Sequence, residues 1–172
     1  MPSKGCYSAP SWAASTSDSS IDPFSLEVLK DGVISNKIDL PLHNTRSYYT
    51  LGRQEGTVDI FLAHASISRT HAMLQYRNDG ALLLFDNNSA HGTSINKKVI
   101  EKGIHHRLYV GDMIKFGAST RLYIVNGPEN QTLSAINTSA TGTSSTISTS
   151  AALEQASDDM DTGISLGHEE SN

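Results

Sequence analysis

Four hydrogen-bonding residues stand next to one another in the middle of the chain, as Ser68, Arg69, Thr70 and His71. They offer two hydroxyls, a guanidinium and an imidazole just before AMLQYR at 72–77, an alternating stretch that favours a β-strand. Hydroxyl and guanidinium groups together suit a phosphate or another anion. A serine close to a histidine could instead be a nucleophile and its base. The third possibility is a packed turn in which these side chains form hydrogen bonds with the turn's own backbone.

Other polar residues also follow strand-like segments. Gly52-Arg53 ends one segment, SAHGT at 89–93 follows the apolar run ALLLFDNN, and Asn96 ends the next short segment. The chain has no Gly-x-Ser-x-Gly elbow and no evident oxyanion arrangement, which disfavours a catalytic Ser68–His71 pair. The pattern therefore favours a non-catalytic site in which loops collect donors for an anion.

The histidines and the single cysteine do not indicate a metal site. His105 and His106 are adjacent, so on a strand their side chains would point to opposite faces. The remaining histidines lack partners at ligand spacing, and Cys6 can form neither an internal disulfide nor a cysteine cluster. We therefore expect no metal and no cofactor.

Charge is distributed unevenly along the 172 residues. The net charge is −5, yet residues 23–127 hold twelve Lys/Arg against nine Asp/Glu, and residues 128–172 hold seven acids without a Lys or Arg. A mildly basic body suits a small anionic ligand better than long nucleic acid, so direct nucleic-acid binding is not expected. Neither a signal sequence nor a membrane-spanning run is evident, and we expect an intracellular protein without a membrane partner.

Composition divides the chain into three zones, with boundaries at 22/23 and 127/128. Residues 1–22 and 128–172 are rich in Ser and Thr and aperiodic, so we expect disordered tails. Residues 23–127 alternate short strand-like segments with turns such as Asp31-Gly32 and Gly111-Asp112, which predicts an all-β sandwich or barrel. The predicted strands are 24–30, 48–53, 58–62, 72–77, 81–86, 106–110, 113–117 and 121–125.

The loop motifs, in this order and spacing, resemble those of the forkhead-associated (FHA) domain. The GR pair at 52–53, the SxxH motif at 68–71 and HGTSIN at 91–96 correspond to its GR, SxxH and NGTxxN signatures. The resemblance spans about residues 24–126 and implies a β-sandwich of about eleven strands in two sheets. It also implies that loops at one end of the sandwich bind phosphothreonine peptides.

By the family's pattern, Arg53 and Ser68 would contact the phosphate, with Arg69 and Thr70 supplying donors nearby. Relatives usually have Asn in place of His91, and that Asn holds the peptide backbone beside the phosphothreonine. The resemblance assigns the support of the binding loops to the remaining motif residues, namely Gly52, His71, Gly92, Thr93 and Asn96.

The resemblance implies a nuclear or nucleocytoplasmic adaptor connected with RNA processing, whose partner is a phosphothreonine-containing protein or peptide. The chain's own tail, phosphorylated near Ser157-Asp158-Asp159, is a second potential ligand, in cis or in trans. The alternative is a phosphate-independent scaffold that binds a folded partner through a sheet face or edge.

Overall fold

A computed structural model describes residues 7–42 and 44–131, and the predicted all-β architecture is confirmed there. Eleven strands form two sheets, and a short 3-10 helix follows them. The elements are β1 Phe24–Lys30, β2 Val33–Leu40, β3 Tyr48–Gly52, β4 Ile60–Phe61, β5 Ala72–Tyr76, β6 Leu82–Asp86, β7 Thr93–Ile95, β8 Lys98–Val99, β9 His105–Arg107, β10 Met113–Phe116, β11 Leu122–Asn126 and η1 Glu129–Gln131.

The two sheets are almost entirely antiparallel. One has the order β2-β1-β11-β10-β7-β8, and the other has the order β4-β3-β5-β6-β9, with β3 and β4 as its parallel pair. The inward-facing side chains of both sheets form one core, to which Leu26, Leu74, Leu84 and Phe116 each contribute without solvent exposure. No helix among the described residues is long and apolar enough to cross a membrane.

Antiparallel pairing brings the GR pair, the SxxH motif and the start of HGTSIN to one end of the sandwich. Strand β3 pairs antiparallel with β5, and β5 pairs antiparallel with β6. The end of β3, the start of β5 and the end of β6 therefore lie at the same end of the sheet. We call residues 53–59, 62–71 and 87–92, which leave or enter these strand ends, the candidate binding loops.

The structure differs from the expected disordered tail over residues 7–22, because part of this segment packs on the sheet. The Ala14 amide donates to the Tyr76 carbonyl at 3.0 Å, Ala13 forms a β-bridge with Arg77, and only 6% of Ala14 is exposed. Residues 1–6 lie outside the described part of the chain. The Ser/Ala-rich composition did not reveal this packing.

An apolar outer sheet face explains why that segment packs. Strands β5 and β6 alternate between core and outer face, and their outward positions include Met73 and Leu83, which are 2% and 6% exposed. The ring of Tyr7 covers this face, with centroid distances of 4.9 Å to Tyr48 and 5.3 Å to Phe85. Covering the second face removes apolar surface from water and stabilises the sheet.

The packed region also extends beyond the C-terminal boundary predicted at 127/128. Gln131, in η1, is 7% exposed, and its side-chain carbonyl accepts a hydrogen bond of 2.9 Å from Arg107. The Val110 amide donates to the backbone carbonyl of Gln131 at 3.2 Å. The packed region therefore continues through Gln131, and the remainder of the expected tail, residues 132–172, lies outside the described residues.

Replacing Tyr7 with Phe is expected to destabilise the domain. The Tyr7 hydroxyl donates to Oε1 of buried Gln75 at 3.0 Å, and Gln75 Nε2 is held by Ser47 and Tyr76 oxygens. Without the hydroxyl, Gln75 Oε1 loses its donor, so the free energy of unfolding should fall by about 1–3 kcal/mol in urea titration. Tyr109→Phe is the matched control, because the Tyr109 hydroxyl has no hydrogen bond within the described residues. Equal losses in the two variants would contradict the role given to Tyr7.

Candidate functional site

Gly52 allows two of the candidate binding loops to approach closely. A Cβ at this position would lie 1.9 Å from the backbone oxygen of Arg69, so no other residue fits without displacing that loop. The Arg53 amide donates to the Ser68 carbonyl at 3.1 Å, and the Gln54 amide donates to the Arg69 carbonyl at 3.3 Å. Residues from two motifs fifteen positions apart are therefore neighbours on one surface.

The side chain of Ser68 is oriented by the third loop. Its Oγ accepts a hydrogen bond of 3.1 Å from the Ala90 amide. A hydroxyl donates one proton, and within the described residues that of Ser68 has no intramolecular acceptor. Ser68 therefore retains a donor for an incoming anion while its oxygen is fixed in place.

Buried His71 connects two of the candidate binding loops, residues 62–71 and 87–92. Its Nδ1 accepts from the Ser68 amide at 3.0 Å, and its Nε2 lies 3.2 Å from the Gly92 carbonyl and 3.1 Å from Thr93 Oγ1. Because the Ser68 amide can only donate, we assign the proton of the neutral ring to Nε2. Burial is the main cause that lowers the pKa of His71.

These contacts do not support the nucleophile–base interpretation of Ser68 and His71. The ring nitrogen that faces Ser68 accepts from its backbone amide, and the other ring nitrogen is directed at Gly92 and Thr93. No contact joins Ser68 Oγ to the imidazole, so the ring is not placed to remove its proton. His71 has the geometry of a support for the loops.

A carboxylate that sequence inspection missed completes this support. Asp86 is buried and accepts hydrogen bonds from the Ser89 amide at 2.7 Å, from Ser89 Oγ at 2.8 Å and from Thr93 Oγ1 at 2.6 Å. Thr93 thereby links Asp86 to His71. Lys102 Nζ donates to the Ser89 carbonyl at 2.6 Å, which adds a cation near the buried carboxylate. The available signal was an aspartate that ends an apolar strand and precedes Asn-Asn-Ser.

The predicted supporting residues have different locations. Gly92 has φ of +74° and its carbonyl accepts from the Gly117 amide at 2.9 Å, which joins the loops to the end of β10. Asn96 instead lies at the far end of β7, in a two-residue turn. There its Nδ2 donates to Asp112 at 2.7 Å and its Oδ1 accepts from the Met113 amide at 3.0 Å. Asn96 holds a hairpin and does not touch the candidate binding loops.

The remaining predicted contacts are exposed. Arg53, Arg69 and His91 are all on the surface, and their side chains form no hydrogen bond or ion pair within residues 7–42 and 44–131. Arg69 and Thr70 line a groove of about 450 Å³ beside the loops. The structure thus combines a fixed buried support with unpaired donors at the surface.

Comparison with known proteins agrees with this arrangement. Residues 49–117 match the family model of the FHA domain. Human kanadaptin is 40% identical over 116 residues, which cover 62% of this chain and 15% of kanadaptin. The human nuclear inhibitor of protein phosphatase 1 is 30% identical over 118 residues, which cover 68% of this chain and 32% of that protein. The chain therefore spans about a third or less of the length of either relative.

A solved structure supports the same assignment. The crystal structure of the FHA domain of the CT664 protein from Chlamydia trachomatis aligns with a TM-score of 0.52 at 28% identity, over 60% of this chain and 96% of that one. The chain contains an FHA domain, a protein-interaction module that usually binds phosphothreonine. The resemblance inferred from the GR, SxxH and HGTSIN motifs is confirmed.

The buried imidazole is expected to make the fold sensitive to acid. Because the pKa of His71 lies below its ordinary 6.5 in the folded protein, the unfolded chain binds the proton first as the pH falls. The stability contributed by neutral His71 is therefore present above about pH 6.5 and is lost below it; burial of His105 acts in the same direction. Urea titrations between pH 8 and pH 5.5 should show a decreasing free energy of unfolding.

His71→Asn separates this effect from other titrations. The variant should lose about 1–3 kcal/mol at pH 8, because the Ser68 amide and the Gly92 carbonyl lose a partner, and its stability should depend less on pH. A wild-type pH dependence in His71→Asn would show that another group is responsible.

Proposed function

We propose that this FHA domain binds phosphothreonine peptides at the candidate binding loops, with Arg53 and Ser68 as the principal phosphate ligands. The observation that carries the proposal is the backbone hydrogen bond from Arg53 to the Ser68 carbonyl, at 3.1 Å. It brings together the backbones of two residues, one with a guanidinium side chain and one with a hydroxyl side chain. A phosphate offers three strong acceptor oxygens, and a guanidinium can meet two of them with parallel donors.

The availability of these donors supports the proposal. The exposed guanidinium of Arg53 has no acidic partner within the described residues, so binding a phosphate would not require an existing ion pair to break. Ser68 Oγ already accepts from the Ala90 amide, which directs its own proton elsewhere. Arg69 and Thr70 follow Ser68 directly and are proposed to supply additional donors, from the side chain or the backbone amide.

The buried support favours tight binding through low reorganisation. His71 and Asp86 fix the loops before any ligand arrives, so little conformational entropy is lost on binding. Hydrogen bonds to a charged group contribute about 1.5–3 kcal/mol each. Two or three of them account for much of the roughly 8 kcal/mol that corresponds to micromolar affinity.

His91 is proposed to contact the peptide beside the phosphothreonine. It is exposed and follows Ala90, whose amide holds Ser68. An imidazole can donate and accept, as the asparagine amide usual in relatives can, although its reach differs. We expect this difference to affect sequence preference more than phosphate dependence.

The cellular role is proposed to be that of a non-catalytic adaptor in the nucleus. Support comes from the name of one relative, the nuclear inhibitor of protein phosphatase 1. The acidic tail is a further proposed ligand, in cis or in trans, and lies outside the described residues. Phosphorylation of the tail should then compete with an external phosphopeptide only while Arg53 is intact.

Arg53→Gln is expected to weaken phosphate-dependent binding. The full chain would be titrated with a degenerate phosphothreonine peptide library and with its unphosphorylated form, by fluorescence anisotropy. Wild type should prefer the phosphorylated library. The affinity of the variant for that library should be about tenfold to a hundredfold lower, because one charge-assisted contact disappears.

Arg77→Gln is the matched control for this experiment. It removes the same charge, but Arg77 directly follows β5 at the end away from the candidate binding loops, where it pairs with Asp79. Its affinity for the phosphorylated library should equal that of wild type. Equal affinity of wild type for phosphorylated and unphosphorylated peptides would refute the proposal and favour a phosphate-independent scaffold.

A further inference from the structure

A groove adjoins the candidate binding loops on the outer face of the sheet. Its volume is about 450 Å³, within the range of sites that hold small ligands or side chains. Its lining includes Tyr7, Tyr48 and Met73 from the covered sheet face, and Arg69 and Thr70 from the loop that contains Ser68. Neither Arg53 nor Ser68 lines the groove, which reaches the proposed phosphate site through Arg69, the residue that directly follows Ser68.

The balance of charge in this groove is positive. Two arginines line it, Arg46 and Arg69, and no acidic residue is part of its lining. Arg46 is bound to Asp59, which also accepts from the Thr50 amide and hydroxyl at 2.7 Å, so this pair is neutral as a unit. The guanidinium of Arg69 has no such partner among the described residues.

Neutral donors around Arg69 point to the same ligand chemistry. The side chains of Gln54, Thr70 and Asn87 also line the groove and make no side-chain hydrogen bonds within the described part of the protein. Amide and hydroxyl donors beside an unpaired guanidinium provide several hydrogen bonds for a carboxylate or a phosphoryl group. The aromatic wall of Tyr7 and Tyr48 limits access of water from one side.

We infer that this groove binds a second anionic group on the same peptide, an acidic side chain or a second phosphate, through Arg69. This inference rests on the proposed phosphothreonine binding at Arg53 and Ser68, and it deepens that function by assigning a partner class. Arg69 immediately follows Ser68, and an extended peptide advances about 3.3 Å per residue. The second anion is therefore expected within a few residues of the phosphothreonine.

The experiment uses a series of phosphothreonine peptides with the full chain. Each position from four residues before to four residues after the phosphothreonine carries alanine, glutamate or phosphoserine in turn, which separates the two sources of the anion. At one position, glutamate or phosphoserine should raise affinity about tenfold over alanine, since a charge-assisted contact is gained.

Arg69→Gln tests whether the groove causes that gain. The measured quantity is the ratio of affinities for the anionic and the alanine peptide, so a general loss of binding does not affect it. The ratio should fall from about ten to about one in Arg69→Gln and stay unchanged in Arg77→Gln. In NMR spectra of wild type, the Met73 methyl resonance should shift more with the anionic peptide than with the alanine peptide.

Two results would overturn the inference, and they are distinguishable from each other. If phosphothreonine binding depends on Arg53 but no position favours an anion, or the preference survives Arg69→Gln, the second site is wrong while the first stands. If wild type binds phosphorylated and unphosphorylated peptides equally, both the second site and the proposed function are refuted.

Discussion

The candidate site depends on one buried imidazole that bonds to two loops with opposite requirements. The Ser68 amide needs an acceptor and the Gly92 carbonyl needs a donor. The neutral imidazole satisfies both, whereas the doubly protonated ring has no acceptor for the Ser68 amide. Thr93 and Asp86 extend the same chain of hydrogen bonds into the interior. In a medium of low polarity each such bond is strong and each broken one is costly. The loop backbone that carries Ser68 is therefore held by the interior without a ligand.

Backbone geometry explains why the motifs converge although they are far apart in sequence. Antiparallel pairing places the ends of β3 and β6 beside the start of β5. The missing side chain of Gly52 then lets the Arg69 carbonyl approach to a distance that any Cβ would prevent. Since two amides beyond Gly52 bond to the facing loop, the separation of Arg53 and Ser68 is set by main-chain contacts. Side-chain flexibility then affects only the final approach to a ligand.

The sequence predicted those parts of the fold and site that depend on local patterns. Strand β1 was expected with the observed bounds, and the loop motifs identified Arg53 and Ser68 as neighbours. Strand β2 was missed because its outer position leaves most of its residues exposed, which weakens the apolar alternation. Asp86 was missed because a single acidic residue has no pattern, and its role arises only from partners that folding assembles. Long-range contacts of single residues have no local signature.

The packing of residues 7–22 did have such a signature. Strand β5 is buried along all five residues and β6 along four of five, whereas a half-buried strand would alternate. The continuous apolar run of β6, Leu82 to Phe85, therefore favours a cover on the second face, and the segment around Tyr7 is that cover. This arrangement has a functional consequence, because the covering segment also forms a wall of the groove beside Arg69. The proposed phosphate contact and the proposed selection of the flanking peptide would therefore depend on different parts of the fold, the loop support and the covered face. If the groove selects the peptide as inferred, substitutions in the segment around Tyr7 should alter that selection and leave intact the backbone hydrogen bond from Arg53 to Ser68.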